Sequence, residues 1–174
     1  MQHVMFKWGA IAGLIIFGVP LMSYFILGGG TETYQVGEII GYATIVVSLL
    51  MVFAAIHEYR KMQDDQRVSF GKGLLIGLGI SAFAGTLFGI YNWVYVTYLE
   101  PDFMDQYYNY YIEQLRASGR PQAEIAAQIQ NYEAEKEFFQ GPIVQFATMF
   151  GTVFIIGIVV SVFSAAVQSK INPS

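Results

Sequence analysis

The segment Ser69–Gly89 reads SFGKGLLIGLGISAFAGTLFG. It is apolar enough for a buried helix, yet it carries six glycines, each of which costs a helix interior about 1 kcal/mol relative to alanine. The conflict disappears if the helix has lipid for solvent and other helices for neighbours. Gly73, Gly77, Ser81, Gly85 and Gly89 recur at every fourth position and form one small-residue ridge inclined across the helix. In lipid, association gains nothing from hiding apolar surface, so close backbone approach must supply it, and small side chains permit that approach.

Composition extends this reading to the whole chain. Of the 174 residues, 55% are hydrophobic and only 13% charged, and mean hydropathy is +0.46; so few charges cannot coat a water-soluble globule. They are absent from Trp8 to Thr31, Ile39 to His57, Gly73 to Leu99 and Phe138 to Ser169. An uncharged apolar run of about 18 or more residues can span the hydrocarbon core as a helix. Four spans follow, near 8–28, 37–57, 73–98 and 142–167. The first is about twice the length of a signal-peptide apolar region and lacks a small-x-small cleavage site before Gly28, so it reads as a retained helix. There is no cysteine, which excludes disulfides, Fe–S clusters and thiolate zinc sites.

Orientation follows from the short connections. The 57–72 connection carries Arg60, Lys61, Arg67 and Lys72, whereas 29–36 has no basic residue. The positive-inside rule therefore places both termini and the 57–72 loop in the cytoplasm, and puts the 100–141 connection outside. That long connection carries eight acidic residues against three basic between Glu100 and Glu137. Trp8, Tyr24, Tyr59, Trp93, Tyr95 and Tyr98 stand towards span ends, where interfacial anchors belong.

The chain also resembles itself. FKWGAIAGLI (6–15) aligns with FGKGLLIGLG (70–79), pairing Phe6 with Phe70, Gly9 with Gly73 and Gly13 with Gly77. GEIIGYATI (37–45) aligns with GPIVQFATM (141–149), pairing Thr44 with Thr148. Both alignments pair spans of the same direction, so the expected fold is an all-α, four-span bundle made of two tandem helical hairpins related by an axis along the membrane normal. Gly9 and Gly13 begin on span 1 the ridge that span 3 continues, so spans 1 and 3 are expected near that axis, with a partner or homodimer as the alternative user of the ridge.

The insertion between spans 3 and 4 reads as two amphipathic helices joined by a turn. Pro101 suits a first helical position, with Asp102 and Asp105 in the early turn; Ser118-Gly119 closes the helix and Pro121 opens the next. Tyr107, Tyr108, Tyr110 and Tyr111 cluster on the first. They serve either to pack and anchor the pair at the interface, or as a docking surface for protein, lipid headgroup or glycan.

Little in the sequence carries reaction chemistry. His3 and His57 lack a partner at metal-site spacing, and Asp64-Asp65 has no third acidic ligand nearby in sequence. Glu38, aligned with Pro142, reads as a helix-start carboxylate. Asn92 is the polar side chain expected to be buried, in an interhelical hydrogen bond, while Thr44 and Thr148 can bond to the preceding turn. No nucleophile and base pair or phosphate loop appears, so no catalytic residue, cofactor or metal is assigned.

At the junction of spans 2 and 3, EYRKMQDDQRVSFGKGLLIG carries Tyr59, Arg60, Ser69, Phe70, Gly71, Lys72, Gly73 and Gly77. With Pro101-Asp102-Phe103 and SGRPQAEIAAQI, this resembles the bacterial membrane-protein family called domain of unknown function 4199, found largely in Bacteroidota. An aspartate often follows the family's Tyr-Arg pair; Lys61 stands here instead. The resemblance implies a four-span inner-membrane protein and brings no activity with it. The expected role is a non-enzymatic scaffold or accessory subunit of an envelope complex. Its partners would be membrane lipids and a membrane protein or a second copy, not nucleic acid, and its contact candidates are the tyrosine cluster with Tyr59, Arg60, Phe70 and Lys72. A small oligomeric transporter or channel is the alternative. An enzyme acting on lipid-linked substrates is the third reading, requiring His57, Arg60, Asp64 and Asp65 to converge.

Overall fold

The computed structural model describes residues 1–171. Among them the regular structure is entirely helical: α1 (Gln2–Leu27), α2 (Tyr34–Leu49), α3 (Met51–Lys61), α4 (Phe70–Val94), α5 (Phe103–Ala117), α6 (Gln122–Phe139) and α7 (Pro142–Ser169). α2 and α3 form one long helix tightened at Leu50, whose N–H is shared between the Val46 and Val47 carbonyls at 3.1 and 3.2 Å. Four segments, Gln2–Leu27, Thr31–Lys61, Phe70–Leu99 and Pro142–Ser169, are long and apolar enough to cross a membrane. Each matches one span of the sequence analysis, and the first begins six residues earlier than hydropathy alone indicates.

Local chemistry sets the boundaries. α1 ends where Gly28 takes φ 79°, a left-handed conformation that costs glycine nothing. The Ser69 hydroxyl accepts the Lys72 N–H at 3.4 Å to cap α4. Pro142 occupies the first turn of α7, where no N–H is missed. α4 runs on into a wide π-helical turn over Tyr95–Leu99, closed by the Glu100 N–H on the Tyr95 carbonyl at 2.8 Å. Pro101 lies in the turn that follows rather than inside a helix; α5 begins at Phe103 with Asp102 before it. The α5–α6 turn uses Gly119 at φ 70°, and Lys136 pairs with Asp105 across the two helices.

The strongest packing in the bundle is α4 against α7, and α1 against α4 is next. A Cβ on Gly73 would lie 3.1 Å from the Ala165 Cβ, one on Gly77 would collide with Ser161, and one on Gly157 would collide with Ser81. Farther along, Gly85 faces Phe150, whose carbonyl oxygen would be 3.1 Å from an added Cβ, and Gly89 faces the Phe146 ring. The α4 ridge is thus spent on α7, which answers it with small residues of its own. Gly9 and Gly13 of α1 do not meet that ridge; they receive Phe83 and Leu87 from another side of α4. The two halves of the chain do not repeat the same contacts. α3 packs on both α4 and α7, while α1 makes no comparable contact with α7. A closed core of Ile16, Leu49, Val52, Ile56, Ile76 and Ile80, each fully buried, fills the bundle from its middle towards the 62–69 loop.

Gly77→Ala and Gly157→Ala should each lower the thermal midpoint in lipid nanodiscs, by the equivalent of about 1–3 kcal/mol, the usual cost of overpacking. Gly151→Ala, with nothing within 4 Å of the added Cβ, should leave it unchanged or slightly raised. Equal melting of all three would mean that α4 and α7 do not touch along this line.

Candidate functional site

Towards the α5–α6 end the core, which reaches Phe88 and Tyr91, gives way to a space. α2 barely meets α7 there, and the glycines it turns towards the space, Gly37 and Gly41, have nothing within 4 Å of the position a Cβ would take. The result is a cavity of about 530 Å³ between α1, α2, α4 and α7, roofed by α5. Its lining reaches no deeper than Ile45, Phe88 and Thr152. Volumes of about 300–1,000 Å³ are typical of sites for small organic ligands.

Two polar arrangements face this space. Within the bundle, Asn92 Nδ2 donates to Gln145 Oε1 at 3.0 Å, joining α4 to α7. Gln145 is only 6% exposed, so the bond satisfies groups that lipid could not. At the rim, Glu38 stands one turn inside α2, which begins at Tyr34, so it is not a helix-start carboxylate. Its Oε1 instead accepts the Tyr107 and Tyr111 hydroxyls at 2.8 and 3.1 Å, tying α5 to α2. Tyr34 lies under the same roof, with ring centroids of Phe103, Tyr107 and Tyr110 at 5.5–5.8 Å, and its hydroxyl donates to Gln106 Oε1 at 3.3 Å. Burial first, and then the Glu38 carboxylate, hold the Tyr107 hydroxyl well above the usual phenol range; the same causes raise Tyr111. Tyr108 also lines the cavity, is buried, and meets Tyr132 of α6 with centroids 6.1 Å apart.

The remaining candidates separate. Thr44 and Thr148 Oγ1 donate to the Ile40 and Val144 carbonyls at 2.6 and 2.8 Å, each closing on its own helix. At the opposite end, Tyr59 and Arg60 are 9% and 8% exposed, whereas Phe70 and Lys72 point out. Arg60 Nη2 donates to His57 Nδ1 at 3.3 Å and Nη1 to the Ile171 carbonyl at 3.5 Å. Asp65 Oδ1 accepts the Arg67 N–H at 3.0 Å, a local loop bond, so it does not join His57 and Arg60. Among the described residues no group of three or more His, Cys, Asp or Glu side chains could hold a metal ion. Glu58, not singled out from the sequence, binds both Lys7 Nζ at 2.7 Å and Trp8 Nε1 at 2.9 Å, pinning α1 to α3. Gln145 and Gln168, the latter 1% exposed, also escaped notice; their signal was an uncharged polar residue within an otherwise apolar span.

Residues 7–170 match the family described as protein of unknown function (DUF4199). The chain belongs to that family. No curated protein and no solved structure matches it. As a DUF4199 member it has the four apolar helices and the small-residue junction after Ser69 described above.

Asn92→Leu and Gln145→Leu should each destabilise the bundle, and a double-mutant cycle should return a coupling of about 0.6 kcal/mol, with about 1.7 as the ceiling for such bonds; zero coupling would mean that the amides do not meet. A raised phenol pKa in the folded state contributes stability that is complete below about pH 10 and declines as pH rises beyond it. In a tyrosinate absorbance titration, Glu38→Gln should move the latest transitions to lower pH, leaving the part due to burial. A curve superimposable on the parent's would remove the Glu38–Tyr107 bond.

Proposed function

We propose that the protein is a non-enzymatic accessory or scaffold subunit of the bacterial inner membrane, built from two tandem helical hairpins, with the α5–α6 pair projecting outside. The observation that supports this is the division of the bundle: the small-residue contact of α4 with α7 and the fully buried Leu49, Val52, Ile56, Ile76 and Ile80 lie between the cavity and the 62–69 loop. A conducting pore needs a continuous path, and coupled transport relies on ionisable groups at mid-membrane. The antiparallel pairs α1 with α2 and α4 with α7 support the tandem hairpins, each being a direct neighbour pair. In this arrangement both termini and the 62–69 loop face the cytoplasm; residues 172–174 of the C-terminal tail lie outside the described residues. Membrane lipids surround the spans, and a membrane-protein partner or second copy meets the exposed face of α5–α6 or the 62–69 loop.

The cavity favours a second reading, a small oligomeric transporter whose site is this space. Flux in reconstituted vesicles that disappears with Asn92→Leu or Glu38→Gln would put that reading first.

Because the chain has no cysteine, single-cysteine variants report topology cleanly. Ser118→Cys should react with a membrane-impermeant maleimide in intact spheroplasts, and Asp64→Cys only after permeabilisation; the reverse pattern overturns the orientation. Crosslinking in the native host followed by gentle purification should recover a defined larger complex, and recovery of the free monomer alone would overturn the subunit role.

A further inference from the structure

We propose that the cavity at the α5–α6 end binds a single-chain cationic amphiphile, with its ammonium head against Glu38 and the surrounding tyrosines and its apolar tail between α2 and α7. This inference is independent of the subunit role. Among the described residues Glu38 is the single charged side chain in the cavity lining. Its Oε1 already accepts two phenol O–H bonds, which leaves Oε2 for a third donor. Tyr107 and Tyr111 reach the carboxylate through those hydroxyls, and the rings of Tyr34 and Phe103 pack against Tyr107. A carboxylate beside a cluster of aromatic rings is chemistry suited to an ammonium group, which pairs with the charge and is attracted by the quadrupole of a ring face. No Lys or Arg lines the space, so a phosphate there would have no counter-charge and would sit against Glu38. The head is therefore an amine without a phosphate, which separates this ligand from the aminophospholipids of the bilayer.

The tail has a built place. Gly37 and Gly41 bare the α2 backbone over open space, while Ile45, Phe88 and Met149 supply apolar walls below them. At that depth the Asn92–Gln145 bond engages Asn92 Nδ2 and Gln145 Oε1 with each other.

The test uses the full chain in phosphatidylcholine nanodiscs, with dodecyltrimethylammonium, dodecyl maltoside and dodecyl sulfate added below their micellar concentrations. Saturable one-to-one binding is read by native mass spectrometry and thermal shift. The cationic probe should bind about tenfold more tightly than the neutral one, as expected for charge pairing with Glu38 supported by a cation–π contact, and dodecyl sulfate should not saturate. Glu38→Gln, nearly isosteric, should bring the cationic probe down to the neutral probe's affinity. Gly41→Leu should abolish saturable binding of both while the thermal midpoint stays at or above the parent's; should that variant fail to fold, Glu38→Gln alone decides. Adding phosphatidylethanolamine to the disc should not compete. Equal binding of the three probes, or parent-like binding by Glu38→Gln, overturns the site; competition by phosphatidylethanolamine overturns the phosphate-free head and assigns the space to a bilayer lipid.

Discussion

Everything in the bundle is arranged around the line along which α4 and α7 meet with almost no side chain between them. Gly73 against Ala165, Gly77 against Ser161 and Ser81 against Gly157 bring two backbones together where lipid offers no hydrophobic reward for association. Ser81 and Ser161 return their hydroxyls to the Gly77 and Gly157 carbonyls at 2.8 and 2.6 Å, so the contact buries hydroxyls without stranding them. The other helices are placed by what this pair leaves free: α1 seats its own glycines on Phe83 and Leu87, and α3 lies against both members of the pair.

The same economy of side chains produces the opposite result on α2. Small residues opposite small residues close a contact; small residues with nothing opposite open a space. Gly37 and Gly41 are of the second kind, and the cavity exists because α2 leans away from α7 above Leu50 while α3 stays packed below it. α5 then roofs the opening through two hydroxyls on one carboxylate. Glu38 with its tyrosines stands at one end and Arg60 with His57 at the other, with the buried core between.

Much of this was legible in the residues. Long uncharged runs fix the four spans because their length is set by the bilayer and their composition by solvation, and a four-residue spacing of glycines marks a contact line because only a helix puts those positions on one side. The partner of that line was not legible. The ridge on α4 predicts a close approach by some helix, but its complement on α7, Gly157, Ser161 and Ala165, keeps the four-residue spacing over three positions only and gives way to Phe150 and Phe146 beyond them. Glu38 was misread for a related reason: aligning it with Pro142 assumes that α2 and α7 start at the same place, yet α2 begins a turn earlier. Gln145 and the cavity needed coordinates, since an empty space is a property of how helices tilt, not of any one residue.

The wide turn over Tyr95–Leu99 joins the bundle to its roof. It holds one residue more per turn than the helix it extends, and the Tyr24 hydroxyl reaches the Leu99 carbonyl beside it at 3.4 Å. Each residue of a helix sweeps about 100° around its axis, so the azimuth at which α5 leaves α4 is fixed by that single surplus residue. The insertion behaves as a lever keyed to its shaft. Loss of one position before Glu100 would swing the roof away from the opening it covers.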